Sequence, residues 1–249
     1  LFRFSELLFL NKDIRGIIHI GAHELEELPE YLKGKIDKII WVEANPYKYE
    51  YIEKKINNYE EMFLAKFAAG SKEDEKTLNI ANNGESSSIL EFGNHKRSYP
   101  HIIYTSKIKV NIKPLDAWLD ENRIKRNNFN FLNIDIQGYE LEALKGMTKQ
   151  LRIVDYIYME VNFCEVYKGC PNISEIDKLL LNYSFRRVGT KKTQYGWGDA
   201  IYAKEKISIH MIYYIFLKII ILKRFIFYKF KRIFSIFKRI IFSYYEKII

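Results

Sequence analysis

The stretch Asn128–Gly146, NFNFLNIDIQGYELEALKG, decides the fold. Phe131, Leu132, Ile134 and Ile136 make a short apolar run, the pattern of a strand buried at the centre of a sheet. Asp135 stands at the carboxyl end of that run, and Gly138 permits the positive φ of a tight turn. Tyr139–Lys145 then reads as a helix. Glu140 and Glu142 load its electropositive start, Lys145 lies in its last turn and Gly146 stops it. A strand that carries a carboxylate to the mouth of a sheet and turns sharply into a helix is where open α/β sheets bind ligands.

Upstream, Ile17–Ile20 is a first short strand, with Gly21-Ala22 opening the turn after it. Glu24–Lys33 reads as a helix that Pro29 kinks or shortens. Lys38–Val42 is a second strand ending at Glu43, and Pro46 starts a helix running to about Asn57. Met62–Phe67 is a third strand leading into Ala68-Ala69-Gly70. This β-α-β-α-β order predicts a parallel sheet with right-handed crossovers. The alternation then breaks. Thr77–Ile80 and Lys107–Ile112 read as strands flanking a polar segment, Asn82–Pro100, and a loop of that length is functional or disordered. Order resumes with a helix at Leu115–Glu121, the strand and helix quoted first, a strand at Val154–Val161 that contains Glu160, and a helix at Ile173–Asn182. Ser184–Val188 and Asp199–Lys204 close the body as an antiparallel pair around Gly196-Trp197-Gly198. No internal repeat is present. The reading is one α/β domain over residues 14–205, a lead-in at 1–13 and a tail at 206–249.

The net charge of +9 is concentrated. From Ile207 onward nine basic residues face one acid, Glu246, so the tail carries +8 and the body +1. A near-neutral body does not carry a nucleic-acid footprint, so no nucleic-acid partner is expected. In the tail, Ile219, Leu222, Ile226, Phe230, Ile233, Phe237, Ile240 and Tyr244 recur at spacings of three and four and share one helical face. Its longest stretch without Lys or Arg, Ile207–Leu217, is too short to span a bilayer. A basic amphipathic helix of this kind suits the surface of an anionic membrane. The plainer alternative is a helix that docks on the body or pairs with a second copy at heptad spacing. Cys164 and Cys170 have neither metal-ligand spacing nor a CxxC pattern, which reads as free thiols in a reducing, cytoplasmic compartment. The chain starts at Leu1 rather than Met, so a missing N-terminus is expected. Leu1–Leu10 is too short and too mixed for a secretory leader.

The turn after the first strand reads G-A-H-E-L and lacks the glycine fingerprint of dinucleotide binders, which disfavours a nicotinamide oxidoreductase. A nucleoside without phosphates needs only close backbone approach and an acid for the ribose. Glu43 holds the position for that acid, its alternative role being to cap the Pro46 helix. His19 and His23 stand four apart across a strand end and a turn with no third ligand near, so no zinc site is expected. Asp135 and Glu160 both end central strands and are placed to converge, as base and partner or around a divalent cation, although no specific metal motif is present. His95 and His101 lie in the polar segment, where a histidine is either a base or merely solvated.

Seven blocks in register carry a family resemblance: HIGAHELEE (His19–Glu27), IIWVEANP (Ile39–Pro46), NGESSSILEFG (Asn83–Gly93), PLDAWL (Pro114–Leu119), FLNIDIQGYELEALKG (Phe131–Gly146), MEVNFCEVYKG (Met159–Gly169) and GWGDAIY (Gly196–Tyr202). Together they resemble the FkbM family of S-adenosylmethionine-dependent methyltransferases over most of residues 14–204. The resemblance implies a class I, Rossmann-like fold: a seven-stranded, mostly parallel sheet with helices on both faces and a final antiparallel hairpin. It implies that the methionine part of S-adenosylmethionine lies over His19, Gly21 and Ala22. Glu43 would bind the ribose, Ala44 and Asn45 flank the adenosine, and Ala68 and Ala69 meet the adenine. Asp135 falls where such enzymes face the cofactor amine or the acceptor. The expected reaction is O-methylation of a sugar or glycan hydroxyl, with Asp135 as base, Glu160 as its partner and His95 as the alternative base. The rival readings are a methyltransferase for a non-sugar small molecule and a membrane-attached binding protein without catalysis. The polar segment Asn82–Pro100 is the expected selector of the acceptor.

Overall fold

Three strands buried at every position, Ile17–Ile20 (β1), Ile39–Glu43 (β2) and Phe131–Ile134 (β7), set the centre of a parallel sheet covered on both sides. The structure is a computed structural model and describes residues 14–205. The remaining strands are β3 (Met62–Lys66), β4 (Ala68–Ala69), β5 (Asp74–Ala81), β6 (Tyr104–Lys113), β8 (Tyr156–Asn162), β9 (Phe185–Lys192) and β10 (Trp197–Lys204). Seven of them form one sheet in the order β3-β2-β1-β7-β8-β10-β9, and β10 runs antiparallel to both of its neighbours. A smaller sheet, β4-β6-β5, stands beside it. Ile18, Ile20, Ile40, Val42, Leu132, Ile134, Ile157 and Met159 pack into one core. Each such side chain contributes about 1.5–3 kcal/mol by leaving water.

The sheet order reverses between β1 and β7, and there the chain ends draw together. Gly21 N–H donates to the Val42 carbonyl at 2.9 Å, and Asp135 N–H donates to the Ile20 carbonyl at 2.9 Å. Gly21 has φ +95, and a Cβ on it would lie 1.9 Å from the Asp135 carbonyl oxygen. Only glycine permits that approach.

The elements depart from the sequence reading in several places. The first helix, Leu28–Lys33 (α1), starts four residues later than expected, because Pro29 occupies its first turn, where a missing N–H breaks no helical bond. Residues before it run in turns. The helix Pro46–Ile56 (α2) keeps its expected start, with Asn45 as its cap: the side chain accepts from Tyr47 N–H at 3.0 Å. Strands β5 and β6 are longer than their apolar cores, since their outer positions pair charges such as Lys109 with Glu75 rather than burying hydrophobes. The segment between them holds a short helix, His95–Ser98 (α3), and folds back so that Gly93 and His95 N–H both donate to the Val166 carbonyl.

Beyond Leu115–Glu121 (α4) and Glu140–Lys145 (α5), a helix unseen in the sequence covers Thr148–Ile153 (α6). Its cap comes from α4: the Asp116 carboxylate accepts from Lys149 N–H at 2.7 Å and Gln150 N–H at 3.1 Å. Arg126 Nη1 completes this half-buried node at 2.6 Å. Helix Ile173–Leu181 (α7), with a full capping box at Asn172 and Glu175, leads into the closing hairpin. That hairpin turns at Thr193–Gly196, so Trp197 and Gly198 belong to β10 rather than to the turn. The expected membrane-surface helix of residues 207–249 lies outside the described residues, as does the lead-in at 1–13. Among the described residues no helix is long and apolar enough to cross a membrane.

Replacing Asp116 strips the cap from α6 and leaves Arg126 without its buried partner. Asp116→Ala is expected to cost about 3 kcal/mol, a fall in melting temperature of roughly 6–12 °C for a domain of this size. Calorimetric scanning of purified wild type and variant checks it.

Candidate active site

At the carboxyl ends of β1, β2 and β7 a cleft of about 650 Å³ opens to solvent. Ile20, Gly21, Glu43, Ala44, Asn45 and Asp135 form its strand-end wall, and Phe67, Ala68, Ala69 and Leu78 give it an apolar side. Ser87, Ser88 and Ile89, from the segment after β5, close over it. Glu43 is buried, and its two carboxylate oxygens accept from His23 N–H at 2.8 Å and Asn45 N–H at 2.7 Å. Burial raises its pKa, and the backbone donors pull it back. It does not cap α2. Each of its oxygens keeps a lone pair for a further donor.

A second cavity of about 1340 Å³ adjoins the first, and Gly21, His23, Glu85, Asp135 and Gln137 line both. Tyr99, Tyr158, Tyr167 and Trp197 give it an aromatic side. Glu26, Glu27, Glu85, Asp135, Glu160 and Asp199 give it carboxylates, and its lining contains neither Lys nor Arg. Asp135 is exposed on the wall of the cavity, among its other carboxylates. The lost solvation pushes its pKa up to about 6, against a hydrogen bond from Gln137, with Glu27, Asp199 and Glu85 adding repulsion. Glu160 is buried and is pushed well above the usual carboxylate range by burial and then by Asp135. Gln137 joins the two: Nε2 lies 2.5 Å from Asp135 Oδ1 and 3.5 Å from Glu160 Oε2. Asp199 accepts from the Tyr158 hydroxyl at 2.6 Å.

Of the stretch expected beneath the methionine part, Gly21 lines the cleft and His19 and Ala22 do not. Side chains alternate along β1, so His19 points away from the face that Ile20 presents to the cleft. Its Nδ1 lies 2.9 Å from the Tyr31 hydroxyl, its ring sits 4.9 Å from that of Trp41, and burial lowers its pKa to about 4. It is neutral and lines the second cavity. Ala22 is fully buried, its N–H bonded to the Val42 carbonyl. His95 is no solvated loop histidine. It stacks on Phe92 at 4.4 Å, burial lowers its pKa, and Nδ1 has no hydrogen-bond partner. His95 reaches the second cavity together with Asp135 and Glu160, whereas His101 is exposed and lines neither. Gln137, Tyr158, Tyr167 and Asp199 went unnoticed in the sequence. Their roles depend on contacts between residues 23 to 41 positions apart, and only the GWGDAIY block hinted at Asp199. Among the described residues no group of three or more His, Cys, Asp or Glu is arranged to hold a metal ion.

A sheet in this order, closed by one antiparallel strand and carrying a glycine-floored cleft with an acid at the end of its second strand, defines a class I S-adenosylmethionine-dependent methyltransferase. The chain belongs to the FkbM family of these enzymes: the methyltransferase FkbM domain matches residues 19–187, about two thirds of its length. No curated protein sequence matches it. Solved structures similar to it include an S-adenosylmethionine-dependent methyltransferase from Aquifex aeolicus, at 13% identity over 80% of this chain and 87% of that one, TM-score 0.44. Others are the ribosomal protein L11 methylase of Lactobacillus delbrueckii subsp. bulgaricus (9% identity, 76% and 69% coverage, TM-score 0.41) and Aeropyrum pernix fibrillarin in complex with natively bound S-adenosyl-L-methionine (13%, 78% and 67%, TM-score 0.38). S-Adenosylmethionine is the cofactor of the family, and the cleft suits it: an apolar side for a base, a buried acid with spare lone pairs for ribose hydroxyls, and backbone open at Gly21.

The raised carboxylates oppose folding. Asp135 binds its proton more tightly in the folded chain than in the unfolded one, so its ionisation lowers stability as pH rises from about 4 through about 6. Asp135→Asn is therefore expected to melt a few degrees above wild type at pH 8, with the gap closing as pH falls to 4. Melting curves across that range check it.

Proposed function

We propose that the enzyme transfers the methyl group to a hydroxyl of a sugar or glycan that carries no negative charge. The observation that supports this reading is the shared wall of the two cavities: Asp135 lines both the apolar, acid-bearing cleft and the aromatic, carboxylate-rich cavity. In this reading Glu43 holds the ribose, Ala44 and Asn45 flank the adenosine, Ala68 and Ala69 meet the adenine, and the methionine part lies beside Gly21. Bound there, S-adenosylmethionine supplies a sulfonium methyl that an acceptor oxygen displaces.

The protein's share is alignment and proton removal. Holding the acceptor oxygen in line accounts for about 7–11 kcal/mol of barrier in well-oriented reactions. A sugar hydroxyl is a weak nucleophile at neutral pH, and a positioned base adds about 10²–10⁴-fold. Asp135, with a pKa of about 6, is ionised near neutrality and a better base than an ordinary carboxylate. Glu160, held well above the ordinary carboxylate range by burial and then by Asp135, is the partner of that base. His95, neutral and unpartnered at Nδ1, is the alternative base. Trp197 and Tyr99 offer flat apolar faces on which a sugar ring stacks. The acid lining repels phosphorylated acceptors and nucleic acid, which disfavours a nucleic-acid substrate.

Residues 14–205 are the catalytic unit in this proposal. The tail enters it through its sequence alone, as a basic amphipathic segment that holds the enzyme on the cytoplasmic face of an anionic membrane.

Incubation with labelled S-adenosylmethionine and a panel of neutral, amino and phosphorylated sugars tests the substrate class. Label is expected on neutral or amino sugars; transfer confined to phosphorylated sugars or to a non-sugar metabolite refutes it. With the accepted sugar, Asp135→Asn is expected to lose turnover by at least about 10²-fold while keeping cofactor affinity. Glu43→Ala should instead weaken cofactor binding at least tenfold by calorimetry. The full chain is expected to sediment with vesicles containing anionic lipid and to stay in solution with zwitterionic ones.

A further inference from the structure

Gln137 occupies the turn between β7 and α5 with φ +55, in the left-handed region that side chains other than glycine seldom adopt. A strained residue persists only where its surroundings hold it, and such positions cluster at functional sites. Two distant segments and the start of α5 hold this one. Ser88 Oγ donates to the Gln137 backbone carbonyl at 2.7 Å, tying the turn to the segment that closes over the cofactor cleft. From the β8–α7 connection, the Tyr167 hydroxyl donates to Gln137 Oε1 at 2.5 Å. Glu140 Oε1 accepts from the N–H groups on either side, Ile136 at 3.3 Å and Gly138 at 2.9 Å.

The amide therefore has one sensible orientation. With Oε1 taken by Tyr167, Nε2 faces Asp135 Oδ1 at 2.5 Å, and Glu160 Oε2 lies at 3.5 Å, the limit of hydrogen-bond reach. Turned over, its carbonyl oxygen would lie against Asp135 Oδ1, acceptor against acceptor. We propose that Gln137 is a positioning residue: with its amide oriented by Tyr167, it holds the Asp135 and Glu160 carboxylates at the wall common to both cavities and leaves Asp135 Oδ2 as the oxygen available to an acceptor. This rests on the reading of Asp135 as the base.

The surroundings make such a donor necessary. Asp135 feels the carboxylates of Glu27, Glu85, Glu140, Glu160 and Asp199. The cavity's other titratable groups include Tyr158, Tyr167, His23 and the neutral His19 and His95, and neither Lys nor Arg lines it. Without a cation, a neutral N–H donor is what stabilises the ionised form.

The test reads the titration of Asp135 and needs no acceptor. Full-length protein labelled with carboxyl-¹³C aspartate is titrated by NMR with S-adenosylmethionine present, and the Asp135 signal is identified by its loss in Asp135→Asn. Gln137→Leu removes the donor, so the Asp135 midpoint is expected to rise by about one pH unit. Tyr167→Phe keeps the fold and the donor but frees the amide to turn, and a smaller rise is expected. An unmoved midpoint in both variants overturns the proposal, and if Gln137→Leu fails to fold, Tyr167→Phe alone decides. The outcome is independent of turnover. Loss of the base assignment shows as retained activity in Asp135→Asn, whereas loss of the present proposal shows as an unmoved midpoint.

Discussion

The close passage of Gly21 against the backbone of Asp135 is the constraint on which the rest depends. A Cβ at residue 21 would stand 1.9 Å from the Asp135 carbonyl oxygen, inside any allowed contact. Its absence lets the carboxyl ends of β1 and β7 meet where the strand order reverses. From that meeting point the chain leaves in two directions, toward Glu43 on one side and toward Gln137 and Glu160 on the other. One contact between two backbones thus sets the positions of the acid at the second strand and the carboxylate at the seventh.

Around this point the protein concentrates charge of one sign. The second cavity gathers six carboxylates without Lys or Arg among its lining residues, and Asp135 and Glu160 are both held above their ordinary range. Such a site opposes folding, and the stability that tolerates it resides elsewhere. The β1, β2 and β7 strands are buried throughout, and Asp116 at once caps α6 and pairs with Arg126. Carboxylates that were satisfied by cations would be ordinary structural groups. Left to each other and to amide and hydroxyl donors, Asp135 and Glu160 hold their protons more tightly than ordinary carboxylates.

The segment between β5 and β6 joins the two cavities. Ser87, Ser88 and Ile89 line the first cleft, while Ser86, His95 and Tyr99 line the second cavity. It is fastened at both ends: Asn79 and Ser88 exchange backbone hydrogen bonds, and Gly93 and His95 share the Val166 carbonyl. A polar composition that suggests an open loop therefore forms a wall, because its hydrogen bonds are made to distant parts of the chain.

Local pattern alone determined much of this protein. The mostly apolar runs at residues 17–20, 39–43 and 131–134 announced central strands because a strand buried on both faces is filled chiefly by apolar side chains. Pro46 marked a helix start through its fixed φ, and Gly146 marked a helix end, although it sits at φ −85 and its missing Cβ serves a close approach to the Gly70 carbonyl. Seven ordered blocks placed Gly21, Glu43 and Asp135 at strand ends. What the sequence could not show depends on partners far along the chain. The helix at 148–153 is capped by Asp116, more than thirty residues away. His95 is buried by stacking on Phe92 and by the turn of its segment toward Val166. Gln137 reads as an ordinary turn residue until Ser88, Tyr167, Asp135 and Glu160 close around it. Periodicity and turn chemistry act over a few residues, so they are legible in one dimension. The ionisation and orientation of a side chain depend on what surrounds it, and only the tertiary structure decides that.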